Sequence, residues 1–246
     1  MDLKGKHILV LSPESSSASW VKKIQAAGGR AIAFPTIDIK GVELSQNALE
    51  EGQKLLCECD WIIFLSQQAV NYLPLSWHLV IQQYPPNVTA IGPATQAALL
   101  EKGISTTVNF PGGSTSETVL EEAPFQANRI QQRTIALLTG EGGRTILFDV
   151  LTERGAIVHR LPVYRRVLPI RPKLTLEQLL MWGVNVICVT SAEALENLLL
   201  MTEPNAHPFL KSQFVLVLSE RLKNHSKQMG FEADKINLFR RDFLAG

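Results

Sequence analysis

The sequence predicts an α/β protein of two similar lobes, each built on a mostly parallel sheet. Short β-branched runs alternate with helical patterns along the 246 residues, as parallel strands with crossover helices require. Many of the runs end in a small polar residue or glycine: Ser12, Ser66, Gly92, Thr139, Thr190 and Ser219. The order of units in the first half also recurs in the second. In open α/β sheets a ligand lies beyond the carboxyl ends of the strands, so these residues outline one rim. Helix initiation alone also explains each of them.

The strand candidates, in order, are His7–Leu11, Arg30–Phe34, Trp61–Leu65, Val88–Ile91, Thr134–Leu138, Ile157–Leu161, Val184–Val189 and Phe214–Leu218. HILVLS, a helix and GGRAIAFP correspond to IALLTG, a helix and RGAIVHRLPVY. WIIFLSQQAVNYL corresponds to VICVTSAEALENL, and VTAIGPATQAALLEKG to VLVLSERLKNHSKQMG. The starts fall at 7, 61 and 88 and again at 134, 184 and 214, so spacings of 54 and 27 are matched by 50 and 30. Two lobes follow, with the cleft between them as the natural site. From the residues alone, the boundary lies near the polar, non-periodic stretch Pro124–Gln132. Pro35–Lys40 and Tyr164–Pro172 are extended, proline-containing segments, and the tail KINLFRRDFLAG can dock as a short helix.

Composition restricts the function classes. With 46% hydrophobic and 19% charged residues the chain is of ordinary globular type, and 24 basic against 23 acidic residues leave a net charge of +1. No global field would recruit nucleic acid or a membrane surface, so attraction to an anion must be local. The opening MDLKGKHILVL enters a strand with too short an apolar run for a signal peptide, and no uncharged apolar stretch is long enough to span a bilayer. A soluble cytoplasmic protein is expected. Cys57 and Cys59 flank Glu58, Cys188 lies within VICVTS, and there is no CxxC. All three read as structural. His7, His78, His159, His207 and His225 share no ligand spacing, so neither a metal nor an organic cofactor is expected. GxGxxG, GxxxxGK[ST] and GxSxG do not occur, which argues against a nucleotide site and an activated serine.

The most informative segment is Thr134–Arg166. It packs an apolar strand, a glycine-rich turn GEGGR ending in Arg144, an amphipathic helix and a second strand ending in Tyr164. Glycines running into a helix expose backbone N–H groups at its positive end, which suits an anion, and Arg144 can add a forked charge. The segment resembles that of uroporphyrinogen-III synthase, and the resemblance extends over essentially the whole chain. It implies flavodoxin-like lobes with parallel sheets, joined by two extended crossings. Residues 1–36 plus 170–246 would form one lobe and 37–169 the other, although the residues by themselves equally allow two consecutive lobes.

In TAIGPATQAALLEKG a strand ends at Gly92, Pro93 suits the first helical turn, and Thr95 places a hydroxyl near the helix start. The resemblance assigns substrate binding to Gly92 and Thr95, and likewise to Gly142, Gly143 and Arg144. Ser66 and the pair Thr190 and Ser191 hold equivalent strand-to-helix positions in the two lobes, with binding as the expected role. Ser219 ranks lower, because Leu222 stands where a threonine is expected. Pro111 to Glu117 reads as a turn running into a capped helix. The resemblance implies that Tyr164 points into the cleft and helps the substrate's hydroxyl leave as water. It further implies cyclisation of hydroxymethylbilane to uroporphyrinogen III with inversion of ring D, by a cofactor-independent, monomeric enzyme that can meet hydroxymethylbilane synthase transiently. The competing reading is a non-enzymatic bilobal binding or sensor protein for an anionic small molecule.

Overall fold

Among the described residues, the apolar runs form two five-stranded sheets. The structure is a computed structural model and describes residues 3–84, 86–108, 115–143 and 145–239. Its strands are β1 (His7–Leu11), β2 (Arg30–Ala33), β3 (Asp38–Gly41), β4 (Trp61–Phe64), β5 (Asn87–Ala90), β6 (Thr134–Gly140), β7 (Ile157–Val167), β8 (Val186–Val189), β9 (Phe214–Val217) and β10 (Ile236–Leu238). The chain divides into two compact units, Met1–Asp38 with Val167–Gly246, and Ile39–Arg166. The polar stretch 124–132 therefore lies inside the second unit.

The first unit carries the sheet β10-β9-β8-β1-β2, in which every pairing is parallel. Numbered along the chain within the unit, its order is 2-1-3-4-5, the flavodoxin-like arrangement. The second sheet runs β3-β7-β6-β4-β5. There β6 and β7 stand where β1 and β2 stand, β4 where β8 stands and β5 where β9 stands. The β7-β6-β4-β5 pairings are parallel, and β3 adjoins β7, with Val42 N–H donating to Val163 O just beyond it at 3.0 Å.

Helices cover both faces of the second sheet, so its central strands β4 and β6 are near-continuous apolar runs. Ile62 and Phe64 of β4, with Ala136 and Leu138 of β6, pack with Leu56, Val70, Trp77, Ile81 and Leu99. On the opposite face Ile63, Ile135 and Leu137 pack with Val119, Phe125, Leu147 and Leu151. In the first unit Ile8, Val10, Val186, Cys188 and Leu216 share a core with Leu3, Ile24 and Phe239. Alternation across the strands thus feeds two helical layers at once.

One contact in that core is unusually close. Gly52, inside the helix Gln46–Glu58, lets the Trp77 indole lie against the helix backbone, and a Cβ there would come within 2.1 Å of Trp77 Cζ2. The indole Nε1–H donates to Leu49 O at 2.9 Å, which holds the ring in place. Gly52→Ala is expected to lower unfolding free energy by about 2 kcal/mol, because overpacking outweighs the gain of about 1 kcal/mol in helix propensity. Urea unfolding checks this: equal or greater stability would mean that the ring moves aside without cost.

Three elements depart from the sequence reading. β3 forms within the segment read as a crossing, since Asp38–Gly41 adds a short, partly charged edge strand. β7 continues past Leu161 through Pro162 to Val167. The tail does not dock as a helix over its described part: Ile236–Leu238 pairs parallel with β9 as β10, after a 3-10 turn at Ala233–Lys235.

Candidate active site

In the second unit the strand order reverses between β4 and β6. There a pocket of about 400 Å³ opens at the carboxyl ends of the strands. Leu65 and Ser66 reach it from the end of β4, Ile91 from the end of β5, Thr139 from β6, and Tyr164 and Arg166 from β7. Gly143 of the glycine turn and Thr115, Ser116 and Glu117 at a helix start complete the rim.

Tyr164 is aimed by a bulge. Thr139 pairs with Pro162 but Gly140 pairs with Tyr164, so β7 carries one extra residue at the end of β6. The hydroxyl end of the ring then lies against Gly140, where a Cβ would stand 2.6 Å from Tyr164 Cζ and 2.7 Å from Cε2. The Tyr72 ring lies alongside, with centroids 6.4 Å apart, and only 7% of Tyr164 is exposed. The glycine turn is tied to the same residue, because Glu141 N–H donates to Tyr164 O at 2.8 Å. Gly142 adopts φ 67°, the left-handed region that glycine occupies without penalty. Arg160 Nη2 donates to Gly143 O at 3.3 Å.

Ser66 caps the helix Gln67–Asn71, its Oγ accepting from Ala69 N–H at 3.2 Å. Its hydroxyl also donates to the Tyr164 phenol oxygen at 3.0 Å. Thr115 and Thr118 form a reciprocal capping box, which is the structural role expected for that turn. The same helix start nevertheless brings Glu117 to the pocket.

The structure thus gathers Ser66, Gly143 and Tyr164 around one pocket and treats the other predicted positions differently. Gly92 has φ 84° and caps the helix Pro93–Glu101, and Thr95 is buried with its hydroxyl donating to Ile91 O, one turn back. That proton is committed to the backbone, a frequent alternative for threonine in a first turn. Arg144 lies outside the described residues. In the first unit Thr190 donates to Leu11 O at 2.7 Å, bridging β8 to β1 at that sheet's own point of reversal. Ser191 and Ser219 cap their helices by accepting from Ala194 and Leu222 N–H, which leaves each serine's own proton available.

Two residues escaped the sequence reading. Arg166 brings a guanidinium to the pocket, and its signal was the arginine pair after Tyr164. Gly140 was read only as part of the glycine-rich turn, whereas it lies at the end of β6 against the tyrosine ring. A second cavity, about 420 Å³, lies between the helix Gln46–Glu58 and the first half of β7, lined mainly by hydrocarbon from Leu44, Ala48, Leu55, Trp77 and Leu161. It gathers no comparable set of hydroxyls, so the functional site is placed at the first.

The remaining candidate chemistry is occupied elsewhere. Among the described residues no group of three His, Cys, Asp or Glu is placed to hold a metal ion. His7, His78 and His207 each turn a ring nitrogen to a backbone carbonyl, of Trp182, Lys102 and Leu199 respectively. Burial pushes the thiols of Cys59 and Cys188 up to about 12, whereas Cys57 is exposed. Iodoacetamide at pH 8 is therefore expected to alkylate Cys57 in the native protein, and Cys59 and Cys188 only after unfolding. Peptide mass spectrometry checks it; native labelling of Cys188 would contradict the burial.

A doubled flavodoxin-like architecture, with a phenol, a guanidinium and a glycine turn at the switch point, defines a two-unit α/β protein built to hold a small polar molecule. Residues 18–237 match the family model described as "Uroporphyrinogen-III synthase HemD". The chain belongs to the uroporphyrinogen-III synthase family. It is 30% identical over 238 residues to the uroporphyrinogen-III synthase of Salmonella typhimurium, covering 93% of this chain and 94% of that one. It is also 30% identical over 236 residues to the Escherichia coli enzyme, covering 93% and 94%. Among solved structures, it resembles uroporphyrinogen-III synthetase of Helicobacter pylori (TM-score 0.59, 13% identity, 94% of this chain and 92% of that one). A mutant uroporphyrinogen III synthase of Thermus thermophilus is similar too (TM-score 0.56, 17% identity, 96% and 95%). At those identities the likeness concerns the fold. No helix among the described residues is long and apolar enough to cross a membrane.

Proposed function

We propose that the chain converts hydroxymethylbilane to uroporphyrinogen III, with Tyr164 as the proton donor to the departing hydroxyl. The observation that carries this reading is the Tyr164 phenol, pinned by Ser66 and Gly140 in a pocket at the switch point of the second sheet. The C–O bond of the hydroxymethyl group breaks, the hydroxyl takes the phenol proton and leaves as water, and an azafulvenium cation remains beside the phenolate. The substituted carbon of the terminal ring attacks the exocyclic methylene of that cation, and the spiro intermediate fragments and recloses with that ring inverted. The ring proton displaced on closure restores the phenol, so the balance is loss of one water. Holding the two ends in reacting geometry supplies most of the acceleration, up to about 7–11 kcal/mol for a well-oriented intramolecular step.

Substrate carboxylates are met by Arg166 and by the turn at Gly142, Gly143 and Arg144. Gly92, Thr95, Thr190, Ser191 and Ser219 are further binding positions of the same strand-to-helix type. The division of the chain into two compact units supports lobes of 1–36 plus 170–246 and 37–169. The proposal extends to a monomeric, cytoplasmic enzyme that receives its unstable substrate from hydroxymethylbilane synthase by transient contact. The test supplies fresh hydroxymethylbilane and separates the products. A type III to type I ratio well above the enzyme-free control is expected; a ratio equal to that control overturns the proposal.

A further inference from the structure

We infer that Ser66 is a positioning residue that directs the Tyr164 proton into the pocket, an assignment that rests on the proton-donor reading above. Serine carries one hydroxyl proton and two lone pairs, and the surroundings of Ser66 use both functions. Ala69 N–H donates to Ser66 Oγ at 3.2 Å while also reaching Ser66 O at 3.0 Å. The hydroxyl proton points to the Tyr164 oxygen at 3.0 Å. A phenol oxygen that accepts from serine must send its own proton elsewhere, and Gly140 closes one side of the ring. Among the described residues no protein acceptor takes that proton, and both hydroxyls line the same pocket.

This pairing changes what Ser66 does. A serine contacting a substrate carboxylate would spend its proton on that carboxylate, whereas here the proton is given to the phenol. When the phenol transfers its proton to the leaving hydroxyl, the phenolate oxygen keeps the Ser66 hydrogen bond, which is stronger to an anion than to the neutral phenol. The interaction therefore strengthens as the transition state is approached, and its loss falls on kcat with little effect on KM. The bulge in β7 and the absence of a side chain at Gly140 bring the two oxygens together. The donor and the group it serves are 98 residues apart in the chain.

The experiment compares Ser66→Ala, Ser66→Thr, Tyr164→Phe and Ser66→Ala/Tyr164→Phe in kcat, KM and melting temperature. Ser66→Ala is expected to lower kcat about fivefold to tenfold with KM unchanged, the size of one lost hydrogen bond. Ser66→Thr, which keeps the hydroxyl and the cap, restores most of the rate. In the Tyr164→Phe background, Ser66→Ala has no further effect on kcat. A merely structural cap would lower the melting temperature equally in both backgrounds and leave kcat of the folded fraction intact, which would overturn the inference. A rise in KM, or an equal fall in kcat without the phenol, would instead make Ser66 an independent substrate contact and also overturn it. If Tyr164→Phe itself leaves kcat unchanged, the proton-donor reading fails, separately from the role of Ser66.

Discussion

Replacing Gly140 with alanine is expected to cut kcat about 100-fold while the protein stays folded. Gly140 is not among the positions with positive φ, so alanine suits its backbone and the substitution tests one contact only. The added methyl would stand 2.6 Å from Cζ, 2.7 Å from Cε2 and 3.0 Å from Oη of Tyr164. Contacts that short force a shift on the order of 1 Å, and a misplacement of that size can cost about 100-fold in rate. The ring cannot move as a free end. Its own carbonyl is bonded to Glu141 N–H, its oxygen to Ser66 and its flank to Tyr72. Overpacking adds about 1–3 kcal/mol of destabilisation, measurable by urea unfolding and separable from the kinetic effect. Because the damage acts through the phenol, Gly140→Ala and Tyr164→Phe should be strongly non-additive, the double variant being little slower than the worse single one. Wild-type kcat in a folded Gly140→Ala variant would show that the ring's position is immaterial.

The sequence made the layered α/β class legible because both faces of the sheets are covered, which writes the strands as apolar runs such as HILVL, WIIF and VICV. The internal repeat was legible for the same reason, since β1 and β6, and β4 and β8, occupy equivalent places in their sheets. Edge elements were not. Asp38–Gly41 mixes an aspartate and a lysine with one isoleucine, and Ile236–Leu238 is only three residues long; each is a strand because a neighbour offers pairing. The candidate strand Ile157–Leu161 was also too short: β7 continues in register through Pro162 opposite Thr139, and the bulge follows before Tyr164. The site was legible where a residue directly follows a strand, as Ser66 does, or closes a glycine turn, as Gly143 does. The direction of a hydroxyl was not: Thr95 turns back to Ile91 O, and Ser66 turns to a tyrosine that becomes its neighbour only after folding. Gly140 could not be singled out for the same reason, since the feature that requires glycine is a ring 24 residues further on.

Tyr164→Phe removes one oxygen and little else, and is expected to lower kcat about 100-fold without abolishing activity. Phenylalanine keeps the ring on Gly140 and beside Tyr72, so substrate binding and stability should change little; the freed Ser66 hydroxyl can turn to water at the pocket edge. On the proposed role, what disappears is the proton for the departing hydroxyl, and a positioned acid is typically worth about 100- to 10,000-fold. The lower end applies here, because the substrate's own ring nitrogens push the hydroxyl out and water can supply a proton at the mouth of the pocket. The type III to type I ratio should remain high, since the enzyme's choice of isomer comes from how the chain is folded against the site and not from how the hydroxyl leaves. Two measurements are therefore needed on one sample: the single-turnover rate of hydroxymethylbilane consumption and the isomer composition of the product. A slow variant that still yields type III separates proton delivery from chain folding. A collapse of the isomer ratio with the rate would instead make the phenol a binding group, and an unchanged rate would remove Tyr164 from the chemistry.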